Sequence, residues 1–198
     1  MEITENYIIG NKTIKVLTHK NITPITELKF IVIHYTASTN LVSTVNFLQS
    51  PKNKVSAHVV IGRMGEVFQL VPFNIQAWHA GKSEYKGCKN LNHYSIGIEL
   101  LNAGKLERRD NKFYTYYGEE IPRKQVVSCI NEDEGLTFWQ AFSTEQIKKL
   151  ISLCRALKKQ YPQIKEIIGH SDITSRKIDP GKAFPWDKIQ HIPFLEGS

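Results

Sequence analysis

A chain of 198 residues with 41% apolar and 23% charged side chains carries enough apolar material for one sizeable core, which excludes the charge-rich, apolar-poor composition of a disordered protein. Its net charge of +7 favours an anionic partner, a demand that nucleic acid, a membrane surface or an acidic cell-wall polymer would each meet. No run approaches the roughly 20 apolar residues of a membrane span, and the opening "MEITENYIIGNKTIK" has an acidic second residue and no apolar segment of a signal peptide.

The chain as given therefore reads as cytoplasmic, with action at the envelope or outside the cell open to it if a leader was removed or release follows another route. Cys88, Cys129 and Cys154 are odd in number and irregularly spaced, matching neither a disulfide framework nor a metal knuckle. Free thiols are expected, which fits a reducing compartment.

In chain order, "FIVIH" at 30–34 is an apolar, β-branched run of the kind that forms a buried strand, and it ends on a histidine. "TNLVSTVNFLQSP" reads as a helix capped by Thr39 or Asn40 and stopped by Pro51. "AHVVIGRMGEVFQLV" predicts a hairpin turning at Met64 and Gly65. Residues 72–93 hold few periodic signals and read as a long loop, a class of segment that often carries function.

"YSIGIELL" is the next buried strand, and residues 102–141, charged and aromatic by turns, read as a surface excursion or extra hairpin. "STEQIKKLISLCRALKKQYP" is the clearest helix. Ser143 and Gln146 stand at capping-box spacing, Ile147, Leu150, Ile151, Cys154 and Leu157 form one stripe, and Pro162 stops it. "KEIIGH" is a last strand, again ending on histidine, and "FPWDKIQHI" predicts a short closing helix. No repeat or linker divides the chain, so the expectation is one α/β domain with a central mixed sheet flanked by helices.

Two strands thus end in histidine, His34 and His170, and neighbouring strands would bring both imidazoles to one sheet edge. Asp179 follows nine residues after His170, close enough for a loop to fold back on it. Two His and one carboxylate match a catalytic zinc site, in which three protein ligands leave a fourth position for water. A structural zinc would more often take four ligands including thiolates, and no Cys is near either histidine in sequence. Singly, each residue has a plainer reading, since a histidine at a strand end is commonly a hydrogen-bonded surface residue and Asp-Pro-Gly is a common turn.

The segments "IVIHYTAS" (31–38), "VSAHVVIGRMGEVFQLVPFNIQAWHAGKS" (55–83), "NHYSIGIEL" (92–100) and "GHSDITSRKIDPGKAFPW" (169–186) resemble the zinc-dependent N-acetylmuramoyl-L-alanine amidases of the AmpD-like branch, in the family's order. Phage lysozyme-type amidases and peptidoglycan recognition proteins are relatives of that family. The resemblance implies one zinc held by His34, His170 and Asp179, with Glu99 as catalytic acid and base and Lys177 as the cation facing the oxyanion. Substrate contacts are expected from Tyr35, Trp78, His79 and Arg176, the last suited to a stem-peptide carboxylate, while His58 reads as a core or supporting histidine. Ala57 stands where the phage branch has a catalytic tyrosine, which places the chain with the Glu-using branch.

The implied reaction is hydrolysis of the amide between N-acetylmuramic acid and L-alanine, on peptidoglycan or muropeptide fragments, by a monomer whose core is about 28–192 with an insertion about 102–141. One rival is a non-catalytic peptidoglycan-recognition module, against which stand the three filled ligand positions. The other, a nucleic-acid binder, rests on net charge alone and lacks any helix-turn-helix, zinc-finger or RNP-like pattern.

Overall fold

The β-branched runs form the centre of a mixed sheet, and their two-residue alternation decides what each face carries. The computed structural model describes residues 1–10, 13–18, 20–189 and 192. An antiparallel hairpin of β1 (Glu2–Thr4) and β2 (Tyr7–Ile9) precedes β3 (Thr13–Lys15), β4 (Phe30–Tyr35) and helix α1 (Leu41–Gln49). Next come β5 (Val59–Ile61), β6 (Val67–Gln69), a two-residue-per-strand hairpin of β7 (Glu84–Tyr85) and β8 (Cys88–Lys89), and β9 (Ser95–Leu100). Five further strands follow: β10 (Lys105–Arg109), β11 (Lys112–Tyr114), β12 (Glu120–Ile121), β13 (Val126–Asn131) and β14 (Gly135–Gln140). Helix α2 (Thr144–Gln160), β15 (Glu166–Gly169), α3 (His170–Ile173) and α4 (Trp186–Ile189) close the chain.

The main sheet runs in the order β15-β4-β9-β5-β6-β3. Its first four strands are parallel, β6 is antiparallel to β5, and β3 joins β6 in parallel. Ile31, Ile33, Val59, Ile61, Ile96, Ile98 and Leu100 form one face and pack against Ile147, Leu150, Leu153, Cys154 and Leu157 of α2. The opposite face carries Phe30, Val32 and Ile168 on one side and Val60 on the other, where Val45 and Leu48 of α1 cover it. The expected α/β domain, a central mixed sheet flanked by helices, is therefore present.

Several expectations need refinement. Asn40 caps α1, its side chain accepting from the Ser43 N–H at 2.9 Å, and the 59–69 hairpin turns at Gly65 with φ +81°. Ser143 caps α2 by accepting from the Gln146 N–H, but Gln146 does not complete a capping box. Its buried amide donates instead to the carbonyls of Ile61 and Leu101, pinning the helix start to the sheet. Residues 105–140 form more than a hairpin: a five-stranded antiparallel sheet, β12-β11-β10-β14-β13, with a small core of Ala103, Leu106, Phe113, Ile121 and Val126. The closing helix covers Trp186–Ile189, shorter than the 184–192 segment expected for it, of which 190–191 lie outside the described residues.

Candidate active site

Parallel register carries the site. In the β4–β9 pair, Phe30 faces Ser95, Val32 faces Gly97 and His34 faces Glu99, so His34 and Glu99 lie side by side on the face opposite α2. Strand β15 pairs Gly169 with Ile33, which delivers His170, the next residue, beside His34 at the carboxyl ends of the strands. The 170–179 loop closes through the Ser171 N–H and the Asp179 carbonyl at 2.9 Å, folding Asp179 back over both rings.

His34 Nδ1, His170 Nδ1 and Asp179 Oδ2 converge in a triangle with sides of 3.0, 2.9 and 3.0 Å. All three residues are buried, and among the described residues they are the group of His, Cys, Asp and Glu able to hold a metal ion. Hydrogen atoms cannot satisfy such a triangle, because each imidazole nitrogen carries at most one proton and that proton points at one neighbour. A cation satisfies all three donors at once. Tetrahedral bonds of about 2.0–2.1 Å set ligand atoms roughly 3.3 Å apart, so the observed spacing fits an N₂O zinc site after a small expansion.

Burial works against the Asp179 carboxylate, yet hydrogen bonds from His170 and His34 outweigh it and hold its pKa well below the ordinary range. Burial pushes His34 down, with Asp179 opposing.

Glu99 sits beside this triangle with its Oε2 buried and without a hydrogen-bond partner. Desolvation, helped by the charge of Asp179 and opposed by Lys177, pushes its pKa up to about 8. Lys177 is exposed and lines the same cavity.

The cavity, about 850 Å³, opens over the triangle and runs along α1. Tyr35, His79, Glu99, Arg176 and Lys177 line it, as do Phe47 of α1, Ile178 and Tyr117, three exposed apolar or aromatic residues that sequence reasoning missed. Tyr117 reaches the cavity from the turn between β11 and β12, which Glu119 ties to Thr39 at 2.5 Å. Burial, with the nearby Asp179 charge, raises the Tyr35 pKa to about 12, so its phenol stays a neutral donor.

Two residues expected to contact substrate have partners within the fold. Arg176 donates to the Lys82 carbonyl at 2.6 Å, latching its loop to the 72–93 segment. Trp78 is not among the cavity-lining residues: its ring centroid lies 6.0 Å from the Lys20 ammonium, and its backbone N–H donates to Ser56 Oγ at 2.8 Å. His58 is a core residue as expected, accepting from the Gly97 N–H at 3.0 Å and paired with the Ile75 carbonyl at 2.9 Å.

The His-His-carboxylate cluster at the carboxyl edge of a mostly parallel sheet, flanked by an orphaned glutamate, has the donor set of an open metal site. The profile of the N-acetylmuramoyl-L-alanine amidases matches residues 24–182, and the chain belongs to that family.

It is 36% identical over 139 residues to the 1,6-anhydro-N-acetylmuramyl-L-alanine amidase AmpD of Escherichia coli, covering 69% of this chain and 57% of that protein. To the N-acetylmuramoyl-L-alanine amidase AmiD of Escherichia coli it is 30% identical over 172 residues, covering 82% of this chain and 52% of AmiD. The chain thus spans between half and three-fifths of the length of these curated relatives. Among solved structures, AmiD in complex with anhydro-N-acetylmuramic acid-L-Ala-D-γ-Glu-L-Lys superposes with a TM-score of 0.64 at 30% identity, over 86% of this chain and 58% of that one. A selenomethionine AmpD structure shares the fold at a TM-score of 0.70 and 23% identity, over 97% and 99% of the two chains.

Proposed function

We propose that the protein is a zinc-dependent N-acetylmuramoyl-L-alanine amidase, hydrolysing the amide between the lactyl group of N-acetylmuramic acid and L-alanine in peptidoglycan or muropeptides. The observation that carries this reading is the His34, His170 and Asp179 triangle with the unpartnered Glu99 carboxyl in the same cleft. The chain would act as a monomer, with the amidase core at about 28–192 and residues 102–141 as an insertion that supplies one cleft wall through Tyr117.

His34, His170 and Asp179 would hold one zinc. When bound, zinc polarises the scissile carbonyl, acidifies water and, by its charge, favours the ionised form of Glu99. Glu99 takes a proton from the attacking water and returns it to the nitrogen as the C–N bond breaks, so that the free amine of alanine leaves. The Lys177 ammonium faces the oxyanion of the tetrahedral intermediate. Tyr35, Phe47, Tyr117 and Ile178 line the cleft and offer ring and apolar surface to the sugar or peptide.

Incubation with purified sacculi and with soluble muropeptides, followed by mass analysis, tests the reading. Release of free stem peptide beginning with L-alanine is expected from at least one substrate. Binding to sacculi without cleavage by zinc-loaded protein would instead favour a recognition module.

A further inference from the structure

Zinc ligation through His34 Nδ1 leaves its Nε2–H as a donor, and the atom facing it at 3.0 Å is Nδ1 of His79. Two donors cannot face each other, so His79 must leave that nitrogen unprotonated. What fixes the His79 proton is found further along the chain of contacts. The Leu91 carbonyl can only accept, and Ser95 Oγ lies 2.5 Å from it, so the serine hydroxyl donates there. Ser95 Oγ is then left as an acceptor towards His79 Nε2 at 3.3 Å. The direction of every donor follows from a single backbone carbonyl: His34 to His79, His79 to Ser95, Ser95 to Leu91.

The position of the His79 ring is built into the strand. A Cβ at Gly97 would lie 2.3 to 2.6 Å from three ring atoms of His79, so the glycine in β9 makes room for an imidazole lying against the sheet. The backbone beneath is pinned as well, because the N–H groups of His79 and Ala80 both donate to Asn92 Oδ1, at 3.1 and 2.8 Å. The ring is buried, so water does not compete for these contacts.

We infer that His79 is a positioning residue, which holds the ring and tautomer of the ligand His34 through the chain His34–His79–Ser95–Leu91 carbonyl and thereby raises metal affinity. Partners of this kind to a metal-bound histidine typically change affinity by about 10- to 100-fold. The inference rests on the metal reading above, and its test separates the two.

Zinc dissociation constants would be measured by competition with a chromophoric chelator for wild type, His79→Ala, His79→Asn and Gly97→Ala. Ring nitrogen NMR of the wild type would report the His79 tautomer. The expected result is a Nε2-protonated His79, a loss of about 10- to 100-fold in affinity for His79→Ala and Gly97→Ala, and partial recovery in His79→Asn, whose Oδ1 replaces the Nδ1 acceptor.

An affinity of His79→Ala within threefold of wild type overturns the inference, as does equal weakening in His79→Asn. A Nδ1-protonated His79 in the wild type overturns it even if a variant fails to fold. Failure of the wild type itself to bind zinc would sink the metal reading instead.

Discussion

Glu99→Gln in the metal-free protein offers a thermodynamic test of the site that does not require turnover. The carboxyl's pKa lies at about 8 in the fold against 4.5 for the ordinary group, so the folded state binds more protons than the unfolded state across that interval. The stabilising contribution is complete below pH 4.5 and is lost as pH rises through 8. Integrating the linkage relation between pH 6 and pH 8 gives a loss of about 2 kcal/mol. His34, His58 and His79, whose pKa values burial lowers, act in the opposite sense near pH 6.5, since their unfolded forms shed protons there. Those histidines are common to both proteins, so the difference between variant and wild type isolates Glu99.

Thermal unfolding followed by circular dichroism at half-unit steps would read it. For a chain of this size about 1 kcal/mol corresponds to roughly 2–4 °C in Tm, so the Tm advantage of Glu99→Gln should widen by roughly 4–8 °C between pH 6 and 8. Saturating zinc should shrink that widening, because a nearby cation favours the ionised carboxylate. A Tm difference that stays constant from pH 6 to 8 in metal-free protein would refute the claim that Glu99 is buried uncompensated.

The purified chain should hold about one zinc and lose turnover to a chelator. His170→Ala should lose both metal and activity, whereas Cys88→Ser and Cys129→Ser, which alter free thiols outside the triangle, should leave zinc content unchanged. Lys177→Ala should retain zinc and lower kcat by about 100-fold or more, measured on a muramyl peptide; unchanged kcat would remove the lysine from the oxyanion role. Arg176→Ala should raise KM more than it lowers kcat and, by breaking the contact to the Lys82 carbonyl, should quicken amide hydrogen exchange in 72–93; unaltered exchange would show that the latch does not restrain that segment.

The parts legible in the sequence were those in which one local period dominates. "FIVIH", "SIGIEL" and "EIIGH" are legible as strands because each carries a short isoleucine- or valine-centred apolar pattern, and the histidines that close the first and the third, His34 and His170, fall at one edge once the strands are taken as neighbours. The strands of 105–140 were obscured because they are short and their outward positions carry charge, as in the exposed pairs Lys105–Glu134 and Lys112–Glu120. Gln146 has capping-box spacing, but spacing does not reveal that its side chain is buried and drawn to the Ile61 and Leu101 carbonyls. The same limit applies to Arg176 and Trp78, whose partners, the Lys82 carbonyl and the Lys20 ammonium, lie 94 and 58 residues away (176 − 82 and 78 − 20). Tyr117 carries no local signal of its place in the cleft, since a turn in a different sheet brings it there.

Strand β9 joins the stability of the domain to the chemistry of its site. Ile96, Ile98 and Leu100 are buried against the α2 face, while Ser95, Gly97 and Glu99 turn to the opposite side. On that side Ser95 orders His79, Gly97 gives the imidazole room, and Glu99 stands beside His34. These three positions are poor for packing: a small hydroxyl, an absent side chain and a desolvated carboxyl. Two-residue periodicity lets the strand keep them, because the intervening positions fill the core without sharing a surface with the site. A register slip of one residue would exchange the two sets, sending Glu99 into the contact with α2 and Ile98 towards His34. The apolar positions therefore do more than stabilise the fold: by fixing the register against α2, they determine that the carboxyl facing His34 is in place before any metal or substrate arrives.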